Sequence, residues 1–158
     1  MDFLWSPWRY RYVSSAADER CLFCRVAAET DDTKNYVLLR AERSFVMLNR
    51  YPYTSGHLMI SPYAHVATLG EADPKSLEEM MLLAQRMESV LRAVYKPAGL
   101  NVGLNIGQAA GAGIAGHIHM HVLPRWLGDV NFMTTVGETR VLPEDLDTTY
   151  ERLSAALK

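Results

Sequence analysis

The sequence is poor in three features that would place it in a common class: cysteine, basic charge and long hydrophobic runs. Two of its 158 residues are cysteine, and the 16 Lys and Arg do not exceed the 18 Asp and Glu. A chain without a basic excess is not expected to be a dedicated nucleic-acid binder, although a nucleotide needs only a few placed groups. No apolar run approaches the ~18 residues of a membrane span, so we expect no membrane insertion.

The N-terminus also lacks the pattern of an export signal. Its first residues, MDFLWSPWRYRYV, are aromatic and basic, without an apolar core or a small-residue cleavage site. We therefore expect a cytoplasmic protein, in which a structural disulfide is disfavoured. Cys21 and Cys24, spaced as C-x-x-C, are then candidates for metal or redox chemistry.

Length and composition favour an N-terminal arm, residues 1–20, followed by one globular domain, residues 21–158. Apolar and β-branched runs predict strands, which cover residues 36–40, 44–49, 57–61, 100–106 and 117–123. Pro62 and Pro124 are expected to end the third and the last of these strands. Short links between the first strands favour an antiparallel sheet.

Two helices are predicted beside these strands. Asp73-Pro74 is a helix start, and Lys96-Pro97-Ala98-Gly99 ends the helix. Its apolar face would consist of Leu77, Met80, Met81, Ala84, Met87, Leu91 and Val94. A second helix is predicted over about 143–157, with Leu146, Tyr150, Leu153 and Leu157 on one side. The order of strands, helix, two strands and helix indicates an α+β fold.

Histidine is scarce but clustered. Three of the five histidines, His117, His119 and His121, alternate with apolar residues. On a strand their side chains would share one face at a spacing of ~6.5 Å, forming a row on an open sheet face. Such imidazoles can donate to phosphate oxygens, move protons or attack phosphorus. A metal site made of these three alone is disfavoured, because rings from one strand do not easily converge on one ion.

Small residues precede this histidine cluster, in the loop GQAAGAGIAG at 107–116. The loop has neither G-x-G-x-x-G before a helix nor G-K-[ST], which excludes a Rossmann or P-loop interpretation. Its glycines allow backbone N–H groups to converge on an anion. A phosphate cradle beside a nucleophilic histidine predicts phosphoryl chemistry.

Two motifs resemble the histidine triad family. These are GHIHMHVLPRW at 116–126 and NRYPYTSGHLMISP at 49–62, and the resemblance spans about residues 21–126. It implies a HIT-like α+β fold: a five-stranded antiparallel sheet, one long helix and a C-terminal helix. It also implies a homodimer in which the two sheets join. The C-x-x-C and the segments NVGLNIGQAAGAG and PRWLGDVNFM look closer to a bacterial branch related to diadenosine tetraphosphate hydrolases and phosphorylases.

The resemblance implies a catalytic role for four histidines. His119 would be the nucleophile that attacks the α-phosphorus and forms a nucleotidyl-histidine. His121 and His57 would contact the phosphate and help to protonate the leaving group. His117 would support the site as a hydrogen-bond partner or as a metal ligand.

The resemblance also implies nucleotide-binding residues. Asn49 matches the position that binds ribose hydroxyls, and Asn105 matches an amide near the phosphates. Many relatives carry Ser or Thr shortly before the triad, where this chain has Gly113-Ile114-Ala115. Backbone N–H groups, with Gly111 and Gly113 as candidates, or the side chain of Gln108 would have to compensate. Trp126 is a further candidate for the rim of the substrate site.

The same resemblance offers a role for the cysteines. In relatives with a C-x-x-C, a later histidine and the first triad histidine complete a zinc site. The matching set in this chain is Cys21, Cys24, His65 and His117. Two thiolates and two imidazoles form a closed structural zinc site. Two packed thiols remain an alternative, as does a redox pair, although no strand precedes the motif in a βαβ unit.

These observations predict a nucleotide hydrolase. The substrate would be a purine nucleotide or a dinucleoside polyphosphate such as diadenosine tetraphosphate, cleaved through nucleotidyl-His119. Structural zinc is the expected cofactor, and no organic cofactor is expected. The alternatives are a phosphorylase or nucleotidyltransferase that uses inorganic phosphate as acceptor, and a non-catalytic nucleotide-binding protein.

Overall fold

A five-stranded antiparallel sheet forms the centre of the computed structural model, which describes residues 21–129 and 142–158. Its strands are β1 Val37–Arg40, β2 Ser44–Leu48, β3 Leu58–Pro62, β4 Gly99–Leu104 and β5 Met120–Arg125. Their order in the sheet is β1-β2-β3-β5-β4, with every neighbouring pair antiparallel. The predicted α+β class and sheet are therefore confirmed. The predicted arm, residues 1–20, lies outside the described residues, so the division into arm and domain stays a prediction.

Four α-helices accompany the sheet in the described part of the chain. They are α1 Leu22–Ala28, α2 Asp32–Asn35, α3 Pro74–Tyr95 and α4 Leu146–Leu157. Helix α3 begins as predicted, because the side chain of Asp73 accepts a hydrogen bond from the backbone N–H of Lys75. Helix α4 starts later than predicted, because Asp145 caps it by accepting from the N–H of Thr148. Neither α1 nor α2 was predicted from the sequence. No described helix has both the length and the apolar character needed to cross a membrane.

The main apolar core lies between α3 and the sheet. Met80, Met87 and Leu91 are fully buried there, and Leu153 of α4 belongs to the same buried cluster. Met81 was predicted on the same face but is 58% exposed. Leu83 and Val90 face the core instead, which turns the buried face of the helix away from residue 81.

The last strand differs from its prediction at both ends. β5 begins at Met120 rather than at residue 117, and it continues through Pro124 to Arg125. Pro124 is tolerated because β3 pairs with β5 only as far as Val122, so the later residues have a single sheet neighbour, β4. His117 and His119 therefore precede the strand, and His121 lies on it.

The segment before β5 is held by contacts outside the sheet ladder. The N–H of Ile118 donates to the carbonyl of Val66 at 2.8 Å, and the hydroxyl of Ser61 donates to the carbonyl of Ile118 at 3.2 Å. Residues 117–121 contain no helix. The histidine segment is therefore not helical, but it is a strand only from Met120 onward.

Candidate active site and metal site

Sheet register brings two predicted catalytic histidines together. His57 stands immediately before β3, and Met59 of β3 pairs with His121 of β5. The Nε2 atom of His57 lies 2.9 Å from Nδ1 of His121. The ring of His119 is 4.9 Å from that of His121, measured between centroids. His57, His119 and His121 thus form one cluster across the neighbouring strands β3 and β5.

Backbone groups fix the tautomers of His57 and His121. The N–H of Tyr53 donates to Nδ1 of His57 at 3.2 Å, and the side-chain amide of Asn49 approaches the same nitrogen at 3.3 Å. Because Nδ1 accepts, the proton of neutral His57 lies on Nε2 and is donated to Nδ1 of His121. The remaining nitrogen of neutral His121, Nε2, then carries a proton that can be donated outward.

Neutral His119 carries its proton on Nδ1, whereas His57 and His121 carry theirs on Nε2. Its Nδ1 lies 2.9 Å from the carbonyl oxygen of His117. A carbonyl only accepts, so Nδ1 carries the proton and Nε2 carries the lone pair. Among the described residues, Nε2 has no hydrogen-bond partner. His119 therefore presents the nitrogen that a nucleophile requires.

Burial keeps the cluster neutral. Burial, followed by the charges of His121 and His119, lowers the pKa of His57 to about 3. Burial and the neighbouring His119 lower the pKa of His121 to about 4. Burial also lowers the pKa of His119, against the opposing hydrogen bond to the His117 carbonyl. At neutral pH the three rings are unprotonated, which agrees with the tautomers assigned from their partners.

The histidines do not form the open row that the sequence predicted. His117 is 1% exposed and His119 is 4% exposed. The reason is α1, whose Phe23 packs against both rings, with centroids 5.2 and 4.8 Å away. The ring of His117 is moreover directed to a second cluster, which contains the cysteines.

That second cluster could hold a metal ion. Its members are Cys21, Cys24, His65 and His117, whose ligand atoms all lie within 4.8 Å of one another. Sγ of Cys21 is 3.3 Å from Nδ1 of His117, and Sγ of Cys24 is 3.2 Å from Nδ1 of His65 and 3.7 Å from Nδ1 of His117. Tetrahedral zinc, with bonds of about 2.3 Å to sulfur and 2.0 Å to nitrogen, separates its ligands by about 3.5 Å. The donor set and its spacing therefore fit such an ion.

The tautomer of His117 also fits this role. Its Nε2 lies 2.9 Å from the carbonyl of Pro62, so Nε2 carries the proton and donates. The lone pair on Nδ1 then faces the cysteines. A hydrogen bond from the second ring nitrogen to a backbone carbonyl is the usual support of a metal-ligating histidine. Partial burial and the adjacent Cys21 raise the pKa of the Cys24 thiol, a cost that a bound cation would offset.

Helix α1 carries two of the four candidate ligands. Cys21 stands at the N-cap of α1, and Cys24 lies in its first turn. The other end of α1 is held by the guanidinium of Arg40, which donates to the carbonyls of Val26, Ala27 and Glu29. Both cysteines are free thiols. The described residues thus place all four predicted ligands together, and no disulfide joins the cysteines.

Two of the predicted nucleotide-binding residues, Asn49 and Asn105, lie beside the histidine cluster. The side-chain oxygen of Asn49 accepts from the N–H of Tyr51 at 2.9 Å, while its NH₂ group approaches His57. Asn105 lies one residue beyond the Leu104–Met120 pair, level with His119. These contacts leave the roles of Asn49 and Asn105 as predictions.

The glycine-rich loop contains a short 3₁₀ turn, Gln108–Ala110. The N–H of Gly111 donates to the carbonyl of Gln108 at 2.9 Å, so this N–H is already occupied within the loop. Gly107 and Gly111 have φ of 82° and 89°, which explains why glycine occupies both positions. Gly113 is exposed on the surface. Phosphate binding by Gln108, Gly111 and Gly113 stays a prediction.

Two aromatic residues of the site were missed from the sequence. Tyr53 is 42% exposed, and its ring lies 4.9 Å from that of His57 and 6.3 Å from that of His121. Its position inside the 49–62 signature, four residues before His57, was an available signal. Phe23 gave no such signal, because its contact with His119 depends on the unpredicted helix α1.

Comparison with known proteins identifies the family. The HIT domain profile matches residues 30–126, more than half of the chain. Over 160 residues the chain is 36% identical to a protein of Mycobacterium tuberculosis (strain CDC 1551 / Oshkosh) named AP-4-A phosphorylase. That alignment covers 96% of this chain and 82% of the relative.

Solved structures give the same result. A zinc-bound histidine triad family protein from Mycobacterium smegmatis has a TM-score of 0.71 and 29% identity, covering 87% of this chain and 92% of its own. A hypothetical histidine triad nucleotide-binding protein from Sulfolobus tokodaii strain7 has a TM-score of 0.69 and 26% identity, covering 87% of this chain and 91% of its own. The profile, the sequence relative and the shared fold agree that this chain belongs to the histidine triad (HIT) domain family.

Proposed function

We propose that this protein cleaves dinucleoside polyphosphates by nucleotidyl transfer through His119. The observation that carries the proposal is the 2.9 Å contact between Nδ1 of His119 and the carbonyl of His117. It fixes the lone pair on Nε2 in a buried, neutral imidazole, which is the state that a nitrogen nucleophile requires. The 36% identity to a protein named AP-4-A phosphorylase supports a nucleotide substrate with a phosphoanhydride bond.

In the first step, Nε2 of His119 attacks the α-phosphorus and forms an N–P bond. The phosphoanhydride P–O bond breaks, and the remaining nucleoside polyphosphate leaves with the bonding electrons. The imidazole becomes cationic, and the carbonyl of His117 stabilises that charge through the Nδ1–H. The outward Nε2–H of His121 can donate a hydrogen bond to the phosphate or leaving oxygen, held in place by His57.

In the second step, an acceptor oxygen attacks the nucleotidyl-histidine. A new P–O bond forms, the N–P bond breaks with its electrons returning to Nε2, and His119 becomes neutral again, while the proton of the acceptor oxygen passes to solvent. Water as acceptor gives hydrolysis, the reaction predicted from the sequence, whereas inorganic phosphate gives a nucleoside diphosphate. The name of the Mycobacterium tuberculosis relative favours phosphate, so we propose phosphorolysis as the main reaction, with hydrolysis as the alternative.

The proposed metal is zinc, bound by Cys21, Cys24, His65 and His117. The fit of the donor set and the zinc-bound Mycobacterium smegmatis neighbour support this assignment. When bound, the ion supplies structural cross-linking between α1, the segment after β3 and the segment before β5. No catalytic step passes through it. The bound ion would hold the ring of His117. The backbone carbonyl of the same residue orients His119, so the ion would affect the reaction through His117.

The decisive experiment is an activity assay on the zinc-loaded protein with diadenosine tetraphosphate and a nucleotide panel, with and without phosphate. Appearance of ADP only with phosphate supports phosphorolysis, and AMP without phosphate supports hydrolysis. His119→Ala should abolish both, whereas Gln85→Ala on the exposed face of α3 should change neither. Full turnover by His119→Ala contradicts the proposal. Tight nucleotide binding without turnover of any panel member supports the non-catalytic alternative.

We also propose that the protein forms a homodimer and is located in the cytoplasm, as predicted from the sequence. β4 lies at the edge of the sheet, and its Asn101, Val102 and Gly103 are exposed. An edge strand with free ladder groups can pair with a second copy and extend the sheet. Sedimentation equilibrium tests the dimer, which a strictly monomeric protein at micromolar concentration contradicts.

A further inference from the structure

The aromatic residue between the two cysteines touches the proposed nucleophile. Phe23 is fully buried, and its ring lies 4.8 Å from that of His119, with 36° between the planes. The same ring is 5.2 Å from that of His117. Cys21 and Cys24 flank Phe23 in the chain, so the candidate metal cluster would hold its backbone on both sides.

Further contacts hold α1 and the ring of Phe23 in place. Arg40 holds the C-terminal carbonyls of the helix, and its guanidinium lies 5.9 Å above the ring of Phe45. Phe45 in turn packs against Phe23 at 6.5 Å and stacks on Tyr63 at 5.5 Å. The aromatic ring that backs His119 is therefore fixed by packing as well as by the chain.

A single hydrogen bond does not fix an imidazole plane. The contact from Nδ1 of His119 to the His117 carbonyl sets the tautomer, but it leaves the ring able to tilt about that contact. A ring packed at 4.8 Å restricts this tilt. A misplacement of about 1 Å can cost a reaction roughly a hundredfold in rate, so such a restriction has catalytic weight.

We propose that Phe23 is a positioning residue that holds the His119 ring in its attacking orientation and links the metal cluster to the nucleophile. The inference rests on the proposed function, because it assumes that His119 attacks. It assigns to the C-x-x-C helix a role beyond metal binding: Phe23, one of the two residues between its cysteines, packs against the ring of His119.

Val26 provides a matched control on the same helix. It is 1% exposed and belongs to the same apolar cluster as Phe23. Unlike Phe23, it lies outside the C-x-x-C. Val26→Ala and Phe23→Leu each remove apolar packing from the same layer, but Phe23→Leu alone removes the ring that backs His119.

The test compares zinc-loaded Phe23→Leu, Val26→Ala and His119→Ala with the unaltered chain. Phe23→Leu should lower kcat about tenfold or more, with KM changed less than about twofold, while Val26→Ala keeps both within about twofold. Metal content, measured by atomic emission, should stay the same in all of them. Side-chain NMR of His119 should show a second or broadened ring signal in Phe23→Leu and a single sharp one in Val26→Ala.

The outcomes separate the two proposals. If His119→Ala is inactive but Phe23→Leu retains kcat and a single His119 signal, the positioning role is wrong and the proposed function stands. If His119→Ala keeps its turnover, the proposed function is wrong. If Phe23→Leu does not fold, Phe23→Met, which keeps more volume without a flat ring, replaces it with the same expected loss of kcat. An equal fall of kcat in Val26→Ala assigns the effect to packing alone and overturns the inference.

Discussion

His119 and His117 are joined by a hydrogen bond from a ring nitrogen to a main-chain carbonyl, 2.9 Å long. The ring of His117 points away from this contact, with Nδ1 toward Cys21 and Nε2 on the carbonyl of Pro62. One residue thus belongs to two clusters, through its ring to the cysteines and through its backbone to the proposed nucleophile. This arrangement links the candidate metal cluster to the proposed nucleophile.

Loss of the metal is therefore expected to weaken both stability and activity. At a hundredfold excess of free zinc over its Kd, binding stabilises the folded state by roughly 3 kcal/mol. Cys24→Ser should lose most of this stabilisation, measured by urea unfolding with and without zinc, and should also lower kcat. Re-addition of zinc after chelation should restore the unaltered chain but not the variant. Equal unfolding curves for the zinc-loaded and chelated forms contradict this prediction.

Stability should fall in mild acid because of the buried histidines. Burial holds the pKa of His57 at about 3 and that of His121 at about 4, below the ordinary value of 6.5. At pH values between the folded-state pKa and 6.5, the unfolded chain binds protons that the folded chain does not. The free energy of unfolding is therefore highest above about pH 6.5, and it decreases as the pH falls toward 4. Each group contributes a slope of up to about 1.4 kcal/mol per pH unit.

Replacing one of the pair tests that slope. In His57→Asn, the slope of the unfolding free energy against pH between 4 and 6.5 should fall by up to about 1.4 kcal/mol per pH unit, because one of the histidines with a lowered pKa is removed. Urea unfolding at constant ionic strength and metal concentration measures it. The same slope in the variant and in the unaltered chain would show that His57 does not contribute to the pH dependence of stability.

Gly56, next to His57, should not tolerate a side chain. Its φ is +78°, and a Cβ would lie 3.0 Å from a ring carbon of Tyr95. Gly56→Ala should therefore destabilise the fold by about 1–3 kcal/mol and lower activity by shifting His57. Gly70→Ala is the matched control, because a Cβ there meets nothing within 4 Å and its φ is not positive. Chemical unfolding measures the stability of both variants. Equal free energies of unfolding would contradict the prediction that Gly56 cannot carry a side chain.

Tyr53 should affect substrate binding more than chemistry. Its backbone N–H holds His57, whereas its half-exposed ring lies over His57 and His121. Tyr53→Ala keeps the N–H and removes the ring, so we expect KM to rise about tenfold, with a smaller change in kcat. Tyr53→Phe, which keeps the ring, should stay close to the unaltered KM. A loss confined to kcat in Tyr53→Ala would show that the ring acts on the histidines instead.

Features that depend only on the local sequence pattern could be predicted from the sequence. The helix start at Asp73-Pro74 follows from capping chemistry and is present. Alternation predicted the last strand, which is present from Met120 onward. Such features need no knowledge of distant neighbours. The predicted ligand set also comes together, although its members lie up to 96 positions apart, because it was taken from the family resemblance and not from local pattern.

The features that could not be predicted depend on contacts between distant parts of the chain. Helix α1 was missed because its seven residues are too short for a periodic pattern, and it is held from outside by Arg40. With α1 missing, the burial of His119 under Phe23 could not be predicted, and an open row of rings was expected instead. Pro124 continues its strand because only one neighbour pairs with it there, a fact of topology.

The most direct test of the account is to trap the covalent intermediate and locate it. Rapid quenching under alkaline conditions, during turnover of diadenosine tetraphosphate, should give a nucleotidyl adduct that tandem mass spectrometry places on residue 119 of the 117–121 segment. The account predicts an adduct on His119 that is absent from His119→Ala and from His119→Gln. An adduct on another histidine, or undiminished turnover without any adduct, would contradict it.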